Sequence, residues 1–128
     1  MQGGSGTDAL SYAGYTSGAT ADLGTGQATG VPAGVAGFEN LTGSNHADTL
    51  SGNGGANVLT GRDGDDGLMG AAGTDTLVGG PGSDTLQGGD DNDVLKAKDN
   101  VSGNDTADGG AGTDVCAADP GDVVVNCE

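Results

Sequence analysis

The sequence predicts an all-β solenoid whose short parallel strands stack into two sheets, on three grounds. Glycine supplies 29 of 128 residues. A nine-residue unit, with glycine first and leucine eighth, repeats without a gap from Gly43 to Lys96. The acidic residues are 17 Asp against 2 Glu (Glu39 and Glu128), a choice of the short carboxylate that serves tight turns.

Composition excludes several alternatives. Leu, Val and Phe together number 20 and Ile is absent, too few for an ordinary globular core. A net charge of −16, with Arg62, Lys96 and Lys98 the only basic residues, leaves no positive surface to neutralise phosphates. Nucleic acid and anionic membrane are therefore not expected as partners. No apolar run approaches the length of a membrane span, so no membrane insertion is expected, and the chain reads as a soluble mature region. Low hydropathy and high charge would also suit a disordered chain, but disorder does not require a period.

The six regular units are GSNHADTLS, GNGGANVLT, GRDGDDGLM, GAAGTDTLV, GGPGSDTLQ and GGDDNDVLK. Position eight is Leu50, Leu59, Leu68, Leu77, Leu86 and Leu95; position six is Asp48, Asn57, Asp66, Asp75, Asp84 and Asp93. Position four is glycine except at His46 and Asp91, and Arg62 and Ala71 stand at position two in place of glycine. The unit recurs at Gly3 to Ser11, with Asp8 at position six, and at Gly109 to Ala117, with Asp114 there and Cys116 in the apolar place. A weaker copy at Asn100 to Asp108 keeps Gly103 and Asp105, after an insertion read as Ala97 to Asp99. Between Tyr12 and Thr42 the period is lost, and short apolar runs separated by glycine-rich turns predict irregular coils of the same stack. Residues 1–128 are thus expected to form one domain: the first repeat and irregular coils over 3–42, the regular units over 43–96, and the insertion, last repeats and a cap over 97–128.

A six-residue turn followed by three residues centred on leucine predicts a strand too short to survive alone. Side chains alternate along a strand, so every leucine enters the interior while positions seven and nine face out. With two units per turn, Leu50, Leu68 and Leu86 stack on one side and Leu59, Leu77 and Leu95 on the other. One leucine per nine residues is little apolar burial against the entropy of ordering them, and the turns crowd carboxylates together. A bound cation offsets both deficits. The donors are carboxylate and main-chain oxygens, which suit a hard cation and not zinc. Calcium, with six to eight loosely arranged oxygen ligands, suits such turns better than octahedral magnesium.

The unit resembles the RTX, or hemolysin-type calcium-binding, nonapeptide GGxGxDxUx. The irregular stretch from Ser11 to Ser44 is also similar to the coils that precede such repeats in secreted bacterial proteins. The resemblance implies a parallel β-roll that binds several Ca2+ ions between same-side turns, held by position-six side chains and main-chain carbonyls. It implies the pairs Asp48 with Asp66, Asn57 with Asp75, Asp66 with Asp84, and Asp75 with Asp93, and, if the insertion bulges outward, Asp84 with Asp105 and Asp93 with Asp114. The ligand candidates are accordingly Asp8, Asp48, Asn57, Asp66, Asp75, Asp84, Asp93, Asp105 and Asp114. The turns carrying Asn57, His46 and Asp91 are expected to bind more weakly. Arg62 is expected to lie over the acidic edge or in solvent, and His46 to be an exposed turn residue.

Cys116 and Cys127 are the only cysteines. Asp119, Pro120 and Gly121 mark a reversal, and Val123 to Val125 can return as a strand, so a disulfide closing a C-terminal cap is expected. Such a cap covers the last coil of a solenoid, and an oxidised pair places the protein outside the cytoplasm. One histidine, no GxSxG elbow and no HExxH motif leave no catalytic constellation, so no enzyme activity is expected. The expected function is a calcium-binding structural module of a secreted protein, folding on extracellular Ca2+. The alternatives are a noncatalytic C-terminal module of a secreted hydrolase or a cell-surface adhesion segment, either implying a covalently linked partner domain. The outward columns show no regular threonine ladder, which removes support for an ice-binding array. Oligomeric state stays open, with end-to-end association one possibility.

Overall fold

The computed structural model describes residues 1–128, an all-β parallel solenoid of about five turns with no helix. Alternate units feed alternate sheets, as the two-units-per-turn reading requires. One sheet runs β1 (Ala9–Ser11), β4 (Asn40–Thr42), β6 (Val58–Thr60), β8 (Thr76–Val78), β10 (Val94–Lys96) and β12 (Val115–Ala117). The other runs β13 (Val123–Val125), β11 (Thr106–Ala111), β9 (Thr85–Asp90), β7 (Gly67–Ala72), β5 (Thr49–Ser51), β2 (Thr20–Asp22) and β3 (Gln27–Ala28). All pairings are parallel except β2 with β3, a short antiparallel end piece.

Register places like residue on like. Leu10, Leu41, Leu59, Leu77, Leu95 and Cys116 form one ladder. Ala21, Leu50, Leu68, Leu86, Ala107 and Val124 form the facing one. The regular leucines are fully buried, so the interior is a stack of facing leucine layers, with successive strands about 4.8 Å apart. Tyr12, Ala19, Val35 and Phe38 fill the N-terminal end of this core.

Two expectations are refined. The period is not lost up to Thr42: Gly34 to Thr42 is a coil in register, with Leu41 paired to Leu59. The insertion does not bulge at Ala97, which is buried and donates its N–H to the Ala117 carbonyl. Gly79 makes the equivalent bond to Lys96, so Ala97 fills position one of its coil, and the extra residues lie after it, where Lys98 and Val101 are exposed. The cap forms as expected: Cys116 and Cys127 are disulfide-bonded with Cα atoms 5.8 Å apart.

Candidate metal site

The position-six side chains form two buried columns, one along each edge of the roll where the turns stack. Asp48, Asn57, Asp66, Asp75, Asp84, Asp93, Asp105 and Asp114 are all buried, and Asp8 is partly so. A repeated bond holds six of them there: Oδ1 of Asp66, Asp75, Asp84, Asp93, Asp105 and Asp114 accepts the backbone N–H of the position-six residue one full turn earlier. Asp48 donates to Asp66 at 2.8 Å, Asn57 to Asp75 at 2.7 Å, Asp66 to Asp84 at 2.9 Å and Asp75 to Asp93 at 2.8 Å. Across the insertion, Asp84 donates to Asp105 at 2.7 Å and Asp93 to Asp114 at 2.8 Å. All six expected pairs are therefore brought together, the last two across the lengthened coil.

Three further carboxylates extend this pattern. Glu39 accepts the Asp8 N–H at 2.8 Å through Oε2, the same role played one carbon longer. It stands nine residues before Asp48 in the sequence, a signal that the missing Asp concealed. At the other end Asp122 Oδ1 accepts the N–H groups of Gly103, Asn104 and Asp105, and Asp119 Oδ2 those of Asp99 and Asn100. The last coil is one residue short, so no nine-residue count finds Asp122.

The second carboxylate oxygen is where the turns differ. Oδ2 of Asp8, Asp66, Asp75, Asp84, Asp93, Asp105 and Asp114 is buried and has no hydrogen-bond partner. Each regular cradle lies over the position-one glycine of its own coil. A Cβ on Gly61 would strike Asp66 Oδ2 and lie 2.8 Å from the Gly79 carbonyl oxygen, and Gly70 and Gly88 stand alike against Asp75 with the Gly88 carbonyl and Asp93 with the Gly109 carbonyl. Glycine is needed there for space, since its backbone is not left-handed.

Burial sets the electrostatics. Loss of water pushes the carboxyls of Asp66 and Asp75 up to about 6 and that of Asp84 up to about 7, from an ordinary 3.8, with neighbouring carboxylates adding to the rise. Backbone N–H bonds oppose it without cancelling it. Asp93 and Asp105 are raised for the same first reason.

Unpartnered anionic oxygens facing main-chain carbonyls repel one another unless a cation joins them. The donor set is all oxygen, which fits a hard divalent cation such as calcium. No three His, Cys, Asp or Glu side chains converge on a point, and the oxygens beside the Asp66, Asp75 and Asp93 carboxylates at the position-one glycines are main-chain carbonyls.

The structure places three of the departures from the repeat. Asp91 takes the left-handed backbone at φ 78°, which Asp tolerates, and Asp93 above it keeps its partnerless oxygen. Arg62 is not merely solvated: its guanidinium donates to the Ala13 carbonyl at 3.0 Å, tying the irregular coils to the regular ones. His46 is exposed, as expected.

The description of the RTX calcium-binding nonapeptide repeat (4 copies) matches residues 42–77, 69–98 and 102–125. No curated protein matches the chain. With most of its length matched and the β-roll formed, the chain belongs to the RTX calcium-binding nonapeptide repeat family and is a calcium-binding β-roll module.

Proposed function

We propose that residues 1–128 are a single calcium-dependent structural domain of a secreted protein, without catalysis of its own, that folds on meeting extracellular calcium. The observation that carries this reading is the set of buried carboxylate oxygens without partners at Asp8, Asp66, Asp75, Asp84, Asp93, Asp105 and Asp114, which are the proposed ligands. Bound calcium would neutralise them and tie them to the carbonyls of the neighbouring coil. Binding that needs the stacked coils is binding coupled to folding, at the ~0.1 to 1 mM affinity of extracellular modules. The disulfide supports an oxidising compartment. A catalytic or adhesive domain linked in the same parent protein is the partner this role calls for.

The test is far-UV circular dichroism of the oxidised protein, titrated with calcium from a metal-free state and with magnesium as control. A cooperative gain of β signal with calcium alone is expected. A β spectrum already complete without metal would refute the coupling.

A further inference from the structure

Among the nine-residue coils with Asp or Asn at position six the turns take two conformations, and backbone sign at position two separates them; the lengthened coil of Asp105 lies outside this rule, its oxygen being partnerless although Lys98 is not left-handed. In the open form position two is left-handed: φ is +117° at Gly4, +89° at Arg62, +91° at Ala71, +117° at Gly80, +121° at Gly89 and +96° at Gly110. Every one of these coils has a position-six Oδ2 without a partner. None of these oxygens receives the position-two N–H; that of Arg62 goes to the Gly79 carbonyl instead.

Ser44 and Asn53 are the exceptions. Neither has positive φ, and each turns its N–H onto its own position-six side chain, Ser44 to Asp48 Oδ2 at 2.6 Å and Asn53 to Asn57 Oδ1 at 2.7 Å. Asp48 Oδ1 receives the Ala19 N–H at 2.6 Å and the Ser44 hydroxyl at 3.0 Å. Asn57 donates its amide to the Glu39 carbonyl at 2.8 Å, supplying a positive end where an aspartate has none. Both coils are thus closed by the chain's own donors.

We infer that the coils Gly43–Ser51 and Gly52–Thr60 bind no calcium, and that with the coils between Tyr12 and Thr42 they form a metal-independent nucleus, flanked by the open coil of Asp8 on one side and by the calcium-dependent coils from Gly61 onward on the other. The inference rests on the calcium-coupled reading proposed above and divides the roll in two. The boundary is written in the sequence. A side chain at position two of an open coil is blocked by the carbonyl of an open coil below it, as Gly80 is by Arg62 and Gly89 by Ala71. Arg62 and Ala71 escape because each stands one turn above a closed coil, those of Ser44 and Asn53. The two non-glycine residues mark, on each edge, the first open coil C-terminal to the closed pair.

Hydrogen–deuterium exchange of the oxidised full chain, in chelator and in saturating calcium, tests this. Amides of 43–60 that bond within the nucleus, such as Gly43 to the Thr60 carbonyl and Thr49 to that of Ala19, are expected to exchange alike in both, while those of 61–117 slow by about 100-fold or more in calcium. Loss of protection in 43–60 together with 61–117 on chelation overturns the division and leaves the coupling intact. Full protection throughout in chelator overturns the coupling itself and the division with it. A calcium count by equilibrium dialysis gives a second readout: at most seven ions per chain, one for each partnerless carboxylate, and a higher count overturns the inference. Asn57→Asp exchanges the amide donor for an anionic oxygen. It is expected to raise the count by one and make 52–60 calcium-dependent, and an unchanged count with unchanged protection contradicts the assignment.

Discussion

Filling one cradle tests the site most directly. In Gly79→Ala the new Cβ would lie against Asp84 Oδ2, 2.8 Å from Asp84 Cγ and 3.0 Å from its Cβ, closer than packing allows. The Gly79 backbone is not left-handed, so alanine introduces no φ strain and the perturbation falls on the cradle alone. Each ion taken up on folding makes stability rise by about 1.4 kcal/mol per tenfold increase in free calcium once sites saturate. Losing one cradle should lower that slope by about 1.4 kcal/mol per decade, and remove about 2.7 kcal/mol at calcium 100-fold above the dissociation constant. Urea unfolding at a series of fixed calcium concentrations measures it. The control is Gly54→Ala, whose Cβ meets nothing within 4 Å; it should leave the slope unchanged and stabilise slightly through the unfolded chain. If Gly79→Ala lowers stability by the same amount at every calcium concentration, the clash is only steric and the cradle holds no ion.

The raised carboxyls of Asp66, Asp75 and Asp84 give an acid effect of definite sign: the metal-free fold binds more protons than the unfolded chain between pH 3.8 and about 6 to 7, so its stability rises as pH falls through that window. Circular dichroism of metal-free protein should gain β signal from pH 7 to 4, and a loss there would reverse the electrostatic account. Reducing Cys116–Cys127 frees a chain reversal of sequence separation 11 and should cost about 3 kcal/mol in the chain-entropy model, read as a lower urea midpoint at constant calcium; no change would leave β13 held by its ladder alone. Ala71→Gly relieves a left-handed alanine and should stabilise the calcium-loaded roll by about 1 kcal/mol, whereas Gly89→Ala drives a Cβ into the Ala71 carbonyl and should destabilise it; thermal melts of the pair check both signs.

What the sequence made legible is what depends on a fixed count. Nine residues per strand and two strands per turn place Leu59 on Leu77 and Asp66 beside Asp84 before any coordinate is known, because a parallel stack repeats its neighbours with its period. The pairs Asp84–Asp105 and Asp93–Asp114 survive the lengthened coil because strand register is set by Leu95 on Cys116 and Leu86 on Ala107, and the extra residues leave the stack after Ala97. Where a residue type changed or a coil shortened, the count failed: Glu39 reaches the column with a longer side chain, and Asp122 arrives one residue early. The two turn conformations were illegible for a different reason. Whether position two can be left-handed beneath a side chain depends on a carbonyl eighteen residues earlier, so Ser44, Asn53, Arg62 and Ala71 read in isolation are simply non-glycines.

The composition that would suit a disordered chain is the same one that suits a metal-dependent fold. Burying a carboxylate with one oxygen unsatisfied is unfavourable, and the open coils each do so over a column that draws its neighbours close enough to raise one another's affinity for protons. Leucine enters only once per coil, so apolar burial stays thin relative to that electrostatic cost. Glycine at position one keeps the cradle vacant of side chains, and aspartate brings a carboxylate to its edge with no slack. Replacing these residues by a denser core would stabilise the roll and, by the same step, free it from its cation. The closed coils of Ser44 and Asn53 show how little is needed for that release: a backbone rotation at position two and, at Asn57, one amide in place of one carboxylate.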